Sequence, residues 1–240
     1  MMKRKLLNSL ILAALAVPAV AMADTAPASP FSGNVSLTTD YLYRGITQTN
    51  HEGAIQGGFD YVNPNGFYVG TWGSNISWLY SSQGYAATSG ASLELDTYGG
   101  YSASFAGDYN YNVGFLRYNY GGNAAGAVNA DTNEFYGSIG WKTVSLKYSR
   151  STGNLFGFAN SSGSGYLELN GTYTLAGPAV DLSAHFGKQT VANDGAASYK
   201  DYNVKAAKAF GAYTWAFMIS KTDLTGYDKA RGVLSVSHSM

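Results

Sequence analysis

The chain has 240 residues, with 15 Lys and Arg, 15 Asp and Glu and no Cys, so its formal net charge is zero. Charged residues make up 12% of the chain and aromatic residues 15%, whereas soluble domains usually contain about 25% charged residues. The missing cysteine excludes disulfides, thiolate metal sites and cysteine nucleophiles, and the balanced charge offers no basic footprint for nucleic acid. With a mean hydropathy of −0.12, the low charge favours a protein with lipid outside and water inside.

The first 23 residues have the pattern of a secretory signal peptide. Lys3–Lys5 is basic, Leu6–Val20 is apolar, and Ala21–Ala23 offers small residues for cleavage before Asp24. The alternative is a membrane anchor, but the apolar run is shorter than the roughly 20 residues that a spanning helix needs. Cleavage leaves 12 basic and 15 acidic residues, a net charge of −3. We therefore predict a signal peptide at 1–23, followed by a Pro/Ala/Ser leader at 24–32.

From residue 33 onwards, apolar and polar residues alternate with period two, which predicts β-strands. The clearest case is the run in which Leu93, Leu95 and Thr97 alternate with Glu94 and Asp96. In chain order, the pattern predicts strands at 34–44, 55–61, 67–76, 93–102, 109–120, 134–141, 144–148, 167–175, 180–186, 201–206, 213–219 and 234–240.

The connections between these strands alternate strictly between long polar loops and tight turns. The long loops are at 47–53, 77–91, 121–132, 152–165, 190–198 and 223–230. An even strand count with short turns on one side and long loops on the other is typical of bacterial outer-membrane barrels. We predict an all-β, transmembrane, antiparallel up-and-down β-barrel of about twelve strands over residues 33–240. Its first and last strands are expected to place both chain termini on the short-turn side.

Aromatic residues on the apolar faces fall near the strand ends. Those near short turns are Tyr61, Tyr101, Tyr111, Trp141, Tyr173, Tyr213 and Trp215, and those near long loops are Tyr41, Tyr43, Tyr148, Phe186 and Tyr202. This distribution predicts two aromatic girdles at the lipid headgroups. The alternative is that tyrosine is simply a good strand former.

Five short motifs occur in order between residues 32 and 78: Gly33–Val35, Thr39–Tyr41, Arg44–Gly45, Gln56–Tyr61 and Gly70–Asn75. In these motifs the chain resembles the TorF-type porins of Gram-negative bacteria. The resemblance implies an outer-membrane, channel-like barrel. Outer-membrane lipid, lipopolysaccharide and the outer-membrane assembly machinery are then the expected partners. The chain departs from most such barrels because it ends in His-Ser-Met instead of an aromatic residue.

The polar faces of the strands carry the candidate pore-lining residues, because a charged side chain facing mid-membrane lipid costs about 2–4 kcal/mol for Arg or Lys. These candidates are Asp40, Arg44, Asp60, Glu94, Asp96, Glu134, Lys147, Glu168, Asp181, His185, Asp201 and Lys205. They either form an ion-pair lattice that fills a narrow barrel or line a water-filled pore and set its ion preference. Both remain open, since twelve strands lie between filled eight-stranded barrels and open porins.

Two arginines, Arg117 and Arg150, fall on the outward faces near the outer strand ends. They either contact lipopolysaccharide phosphates or are turned inward by a β-bulge.

The favoured function is a passive channel for small hydrophilic solutes with a mild cation preference, and no cofactor or metal site is predicted. A structural or adhesive barrel without an open pore is the first alternative. An outer-membrane lipid hydrolase is the second, because His185 lies two residues from Ser183. Parity directs both side chains into the lumen, whereas such hydrolases use a pair facing lipid, so we predict that the chain is not an enzyme.

Overall fold

The computed structural model describes residues 29–79, 90–121 and 129–240. The predicted signal peptide and most of the predicted leader lie outside these residues. The strands are β1 (Phe31–Thr38), β2 (Leu42–Tyr43), β3 (Ile46–Thr47), β4 (Ala54–Val62), β5 (Phe67–Asn75), β6 (Leu93–Phe105), β7 (Tyr109–Tyr120), β8 (Thr132–Trp141), β9 (Val144–Ser151), β10 (Gly165–Leu175), β11 (Val180–Thr190), β12 (Tyr199–Phe210), β13 (Tyr213–Thr222) and β14 (Arg231–Ser239). Within the described ranges, a 3-10 turn at Gly195–Ala197 is the single helical element, and no helix is long and apolar enough to cross a membrane.

Twelve of these strands close into one antiparallel barrel, in the order β1-β14-β13-β12-β11-β10-β9-β8-β7-β6-β5-β4. The remaining two, β2 and β3, pair only with each other. The barrel closes where β1 pairs with β14, and Gly33 and Met240 exchange two backbone hydrogen bonds of 3.1 and 2.8 Å at this seam. The predicted fold class and strand count are therefore confirmed. The first strand, however, ends at Thr38 and does not continue to Arg44 as predicted.

The two faces of each strand differ in the way that the alternation predicts. On β6, Leu93 and Leu95 point outward and are 54% and 46% exposed, whereas Glu94 and Asp96 point inward and are each 1% exposed. The same outward set of exposed Val, Leu, Ile, Phe, Tyr and Trp side chains recurs around the barrel. An apolar exterior with a polar interior reverses the pattern of a soluble barrel and suits lipid as the surrounding solvent.

The aromatic side chains near the strand ends mostly point outward. Tyr148, Phe186 and Tyr202 are exposed near the long loops, as the alternation predicts. The prediction for Tyr41 and Tyr43 is wrong, because the chain leaves the barrel wall at Thr38 and carries both rings into the interior. There the Tyr41 ring meets the inward-facing Trp72 edge-on, with 5.4 Å between centroids.

Inward-facing tyrosines fill one side of the barrel by lying over glycines of neighbouring strands. A Cβ atom added at Gly70 would meet the ring of Tyr98, and one added at Gly114 would meet the ring of Tyr136. The phenol of Tyr98 donates a 2.6 Å hydrogen bond to Asp60. Glycine is therefore needed at these positions for the rings to lie flat against the wall. This packing narrows the lumen beside β4 to β8.

Candidate functional site

The first long loop, residues 39–53, folds into the barrel instead of extending away from it. Its β2–β3 hairpin turns through Arg44 and Gly45, whose φ angles are +47° and +78°, as a tight two-residue hairpin turn requires. The turn lies against β12 and β13, because a Cβ atom at Gly45 would be 2.6 Å from Thr222 Cγ2 and 2.8 Å from Asp201 Cβ. The loop starts between β1 and β4, so its tip crosses the lumen.

Asp40 stabilises the base of this loop. Its carboxylate accepts hydrogen bonds from the hydroxyls of Thr47 (2.6 Å) and Thr49 (3.2 Å) and lies 2.9 Å from His51 Nδ1. The alternation predicts Asp40 to be a pore-lining strand residue. The structure instead places it in the loop, where its buried carboxylate is held by neighbours of the same loop.

The tip of the loop is fixed by Arg44. Its guanidinium forms a 2.7 Å ion pair with Glu134 on β8 and donates a 2.8 Å hydrogen bond to Gln189 on β11. It also lies 4.2 Å from the ring centroid of Tyr166 on β10, a cation–π contact. Both side chains of the ion pair are almost fully buried, at 7% and 2% exposure. Arg44 therefore holds the loop against three strands of the far wall. The prediction that Arg44 lies on a barrel strand is wrong, because it lies in the loop.

The near side of the hairpin packs against aromatic residues. The Tyr43 hydroxyl lies 2.7 Å from the Tyr118 hydroxyl, and the Tyr43 ring also meets Phe156 edge-on, with 5.5 Å between centroids. Burial raises the pKa of Tyr43 well above its ordinary value, so its hydroxyl remains neutral. The hairpin is thus held by an ion pair on one side and by ring packing on the other.

A charged network continues along the wall from β9 to β12. Lys147 Nζ lies 3.4 Å from Glu168 Oε1, and His185 Nε2 lies 3.0 Å from Asp201 Oδ1. Tyr166 donates a 2.9 Å hydrogen bond to Asp201. Together with the Arg44–Glu134 ion pair, these contacts bring six of the predicted residues into one region: Arg44, Glu134, Lys147, Glu168, His185 and Asp201.

The ring of His185 is oriented by neighbours other than Ser183. Its Nδ1 lies 2.6 Å from Asn170 Oδ1, and its Nε2 lies 3.0 Å from the Tyr166 hydroxyl and from Asp201. These contacts occupy both ring nitrogens. A serine–histidine pair of the kind that a hydrolase needs is therefore not formed between Ser183 and His185.

Two of the other predicted residues, Asp60 and Asp181, form hydrogen bonds outside this network. Asp60 accepts its hydrogen bond from Tyr98, and Asp181 is exposed at a short turn, where Thr174 donates to it at 2.6 Å. Lys205 points inward on β12, facing Ser183 of β11 and Met218 of β13.

Glu94 and Asp96 are buried on the wall opposite the charged network. No cationic partner of either appears among the ion pairs of the described residues. In that part of the chain, no group of three or more His, Cys, Asp or Glu side chains is arranged to hold a metal.

Three strand residues that hold the hairpin were missed by sequence reasoning: Tyr118, Tyr166 and Gln189. All three lie on inward faces, in the same alternation that identified Glu134 and Glu168. Their uncharged side chains gave no reason to single them out. The signal that could have found them is their position near long loops, at the depth that an inserted loop reaches.

Arg117 and Arg150 point outward, as parity predicts. The strand register is continuous through both positions, with Arg117 opposite Thr97 and Asn133, and Arg150 opposite Phe135 and Gly165. The alternative of a β-bulge is therefore wrong. Arg117 forms a 2.9 Å ion pair with Asp131 at the loop end of its strand.

The fold resembles solved barrels at very low sequence identity. The KdgM porin in complex with disordered oligogalacturonate superposes with a TM-score of 0.55 at 10% identity, covering 88% of this chain and 98% of that one. A membrane protein solved in a study of in-meso crystallization gives a TM-score of 0.51 at 7% identity, covering 88% and 83%. No curated protein matches significantly. The model of a family described as a bacterial protein of unknown function matches residues 22–237.

Proposed function

The chain belongs to the Gcw_chp family of bacterial proteins of unknown function, and from its barrel we propose that it is an outer-membrane channel for small hydrophilic solutes. The observation that carries the proposal is the closed twelve-stranded barrel with an apolar exterior and a charged, polar interior. The predicted signal peptide supports export to the outer membrane. The TorF-type assignment and a non-enzymatic role are part of this proposal.

The inserted hairpin defines where such a channel is narrowest. Inward residues near the long loops, such as Thr132, Ser151 and Thr222, are buried, whereas inward residues nearer the short turns, such as Ser145 and Asn170, retain partial exposure. We therefore propose a wide vestibule on the short-turn side that leads to a constriction at the hairpin.

Planar-bilayer recording with the purified mature protein tests the channel directly. We expect discrete single-channel steps, because a polar lumen of twelve strands admits water and ions past one loop. A barrel that inserts but conducts nothing would favour a structural or adhesive role. Release of fatty acid from the lipid would favour the hydrolase alternative.

A mild cation preference follows from the unequal pairing of the inward carboxylates. Glu134, Glu168 and Asp201 have cationic or histidine partners, but the charges of Glu94 and Asp96 are not paired in this way. Like charges on a poorly hydrated wall attract cations and repel anions. The carboxylate pair on β6 is therefore the group that we expect to set the preference.

Replacing both with Glu94→Gln and Asp96→Asn should move the reversal potential in a salt gradient towards that of an anion-preferring pore. Asp181→Asn is the matched control, since it removes an inward carboxylate at the mouth, where salt screens its charge. An unchanged reversal potential in a double variant that still conducts would show that these carboxylates do not act on the permeating ions.

A further inference from the structure

Three of the four carboxylate oxygens of the pair on β6 lack the hydrogen bonds that buried charges normally have. Glu94 and Asp96 are two positions apart on the same inward face, and each is 1% exposed. Glu94 Oε2 and both carboxylate oxygens of Asp96 have no hydrogen-bond partner among the described residues. Burying ionised carboxylates without partners is strongly unfavourable, so the pair must either hold protons or bind a cation.

The cationic side chains around the constriction are engaged elsewhere. Arg44 pairs with Glu134, and Lys147 pairs with Glu168. Arg44 and Lys147 therefore do not neutralise the carboxylates of Glu94 and Asp96.

The surroundings of the pair offer oxygen atoms and aromatic rings. The Tyr120 hydroxyl donates a 3.1 Å hydrogen bond to Glu94 Oε1. Across the strands, Asp96 lies between Trp72 of β5 and Tyr118 of β7, which share its inward face. Carboxylate and hydroxyl oxygens are the ligands that hard cations such as Ca²⁺ prefer.

We propose that Glu94 and Asp96 bind a divalent hard metal cation of the Ca²⁺ class in the lumen. Two carboxylates carry two negative charges, which one divalent ion balances and a monovalent ion does not. The unpartnered oxygens have almost no accessible surface, which favours a small ion over an organic ammonium group. No third His, Cys, Asp or Glu side chain of the described residues completes a metal-holding group with the pair, so hydroxyl groups and water would have to complete the coordination. Conduction is not needed for this binding. A bound divalent ion would cancel the negative charge on which the proposed cation preference rests, so the reversal potentials are compared in EDTA.

Terbium luminescence tests the site, because Tb³⁺ occupies Ca²⁺ sites and is excited by nearby Trp and Tyr rings. The full mature chain, refolded in non-ionic detergent without lipopolysaccharide, is titrated with Tb³⁺ while the aromatic rings are excited. We expect sensitised emission that saturates at one ion per chain and is displaced by Ca²⁺ but not by K⁺ at equal ionic strength. The Glu94→Gln, Asp96→Asn double variant should lose this emission, and the Asp181→Asn control should retain it.

Several outcomes would overturn the proposal: no saturable emission, equal emission in the double variant, or equal displacement by K⁺. If the double variant does not fold, the Asp96→Asn single variant replaces it. A second readout needs only the wild-type barrel, whose urea midpoint should rise in excess Ca²⁺ relative to EDTA because ligand binding stabilises the folded state. An unmoved midpoint would also count against the site. Since all measurements are made in detergent, a silent channel with normal Tb³⁺ binding would contradict only the proposed function.

Discussion

Replacing the first-loop hairpin Leu42–Thr47 with Gly-Ser-Gly is expected to raise single-channel conductance several-fold. The hairpin tip crosses the lumen and contacts the opposite wall through Arg44 and Gly45. Pore conductance depends on the narrowest cross-section, so removing the hairpin should leave the tyrosines over β4 to β8 as the next limit. The measurement is single-channel conductance in symmetric salt.

The matched control for this change replaces Thr225–Ala230 in the last long loop with the same linker. These residues are all exposed, so their loss should leave conductance near the wild-type value. If the hairpin variant also conducts like the wild type, the constriction lies elsewhere in the lumen, and the packed tyrosines are the first place to look.

The second large effect is expected at the ion pair that fixes the hairpin. Arg44→Met should lower the free energy of unfolding by about 3–5 kcal/mol, the usual cost of leaving one buried charge without its partner. The expected cause is Glu134, whose side chain is 2% exposed and whose cationic partner is removed. Urea unfolding of the barrel in lipid vesicles measures this free energy.

A double variant separates the lost pair from the lost packing. Arg44→Met combined with Glu134→Gln should recover part of the stability, because no uncompensated carboxylate remains. Arg150→Met is the control, since that arginine is exposed and points outward, and its change should be small. A cost of less than about 1 kcal/mol for Arg44→Met would fall below the range for a buried pair. It would mean that the hairpin leaves the lumen and that water reaches Glu134.

The barrel wall was predictable because its signals are local. Period-two alternation identifies the strands and their inward faces. The alternation of long loops with short turns gives the strand number and direction, and neither signal depends on distant contacts. The inward positions of Glu94, Glu134 and Asp201 follow from parity alone. Their burial does not, because it depends on what fills the lumen.

The inserted loop was not predictable in the same way. The alternation continues past Thr38 through Asp40 and Tyr43, so the sequence favours a longer first strand. Arg44–Gly45 is a weaker hairpin signal than Asn-Gly, and the tip is held by contacts with Glu134 and Gln189, which are far away in the chain. Long-range pairing of this kind leaves no local pattern.

The pairing of β1 with β14 affects how the barrel folds. The hydrogen bonds between Gly33 and Met240 join positions more than 200 residues apart, and contacts of such high sequence separation make folding slow. Until they form, both edge strands of the open sheet present unpaired backbone groups that can pair with another chain. An intermediate of this kind needs protection from aggregation until the last strand meets the first.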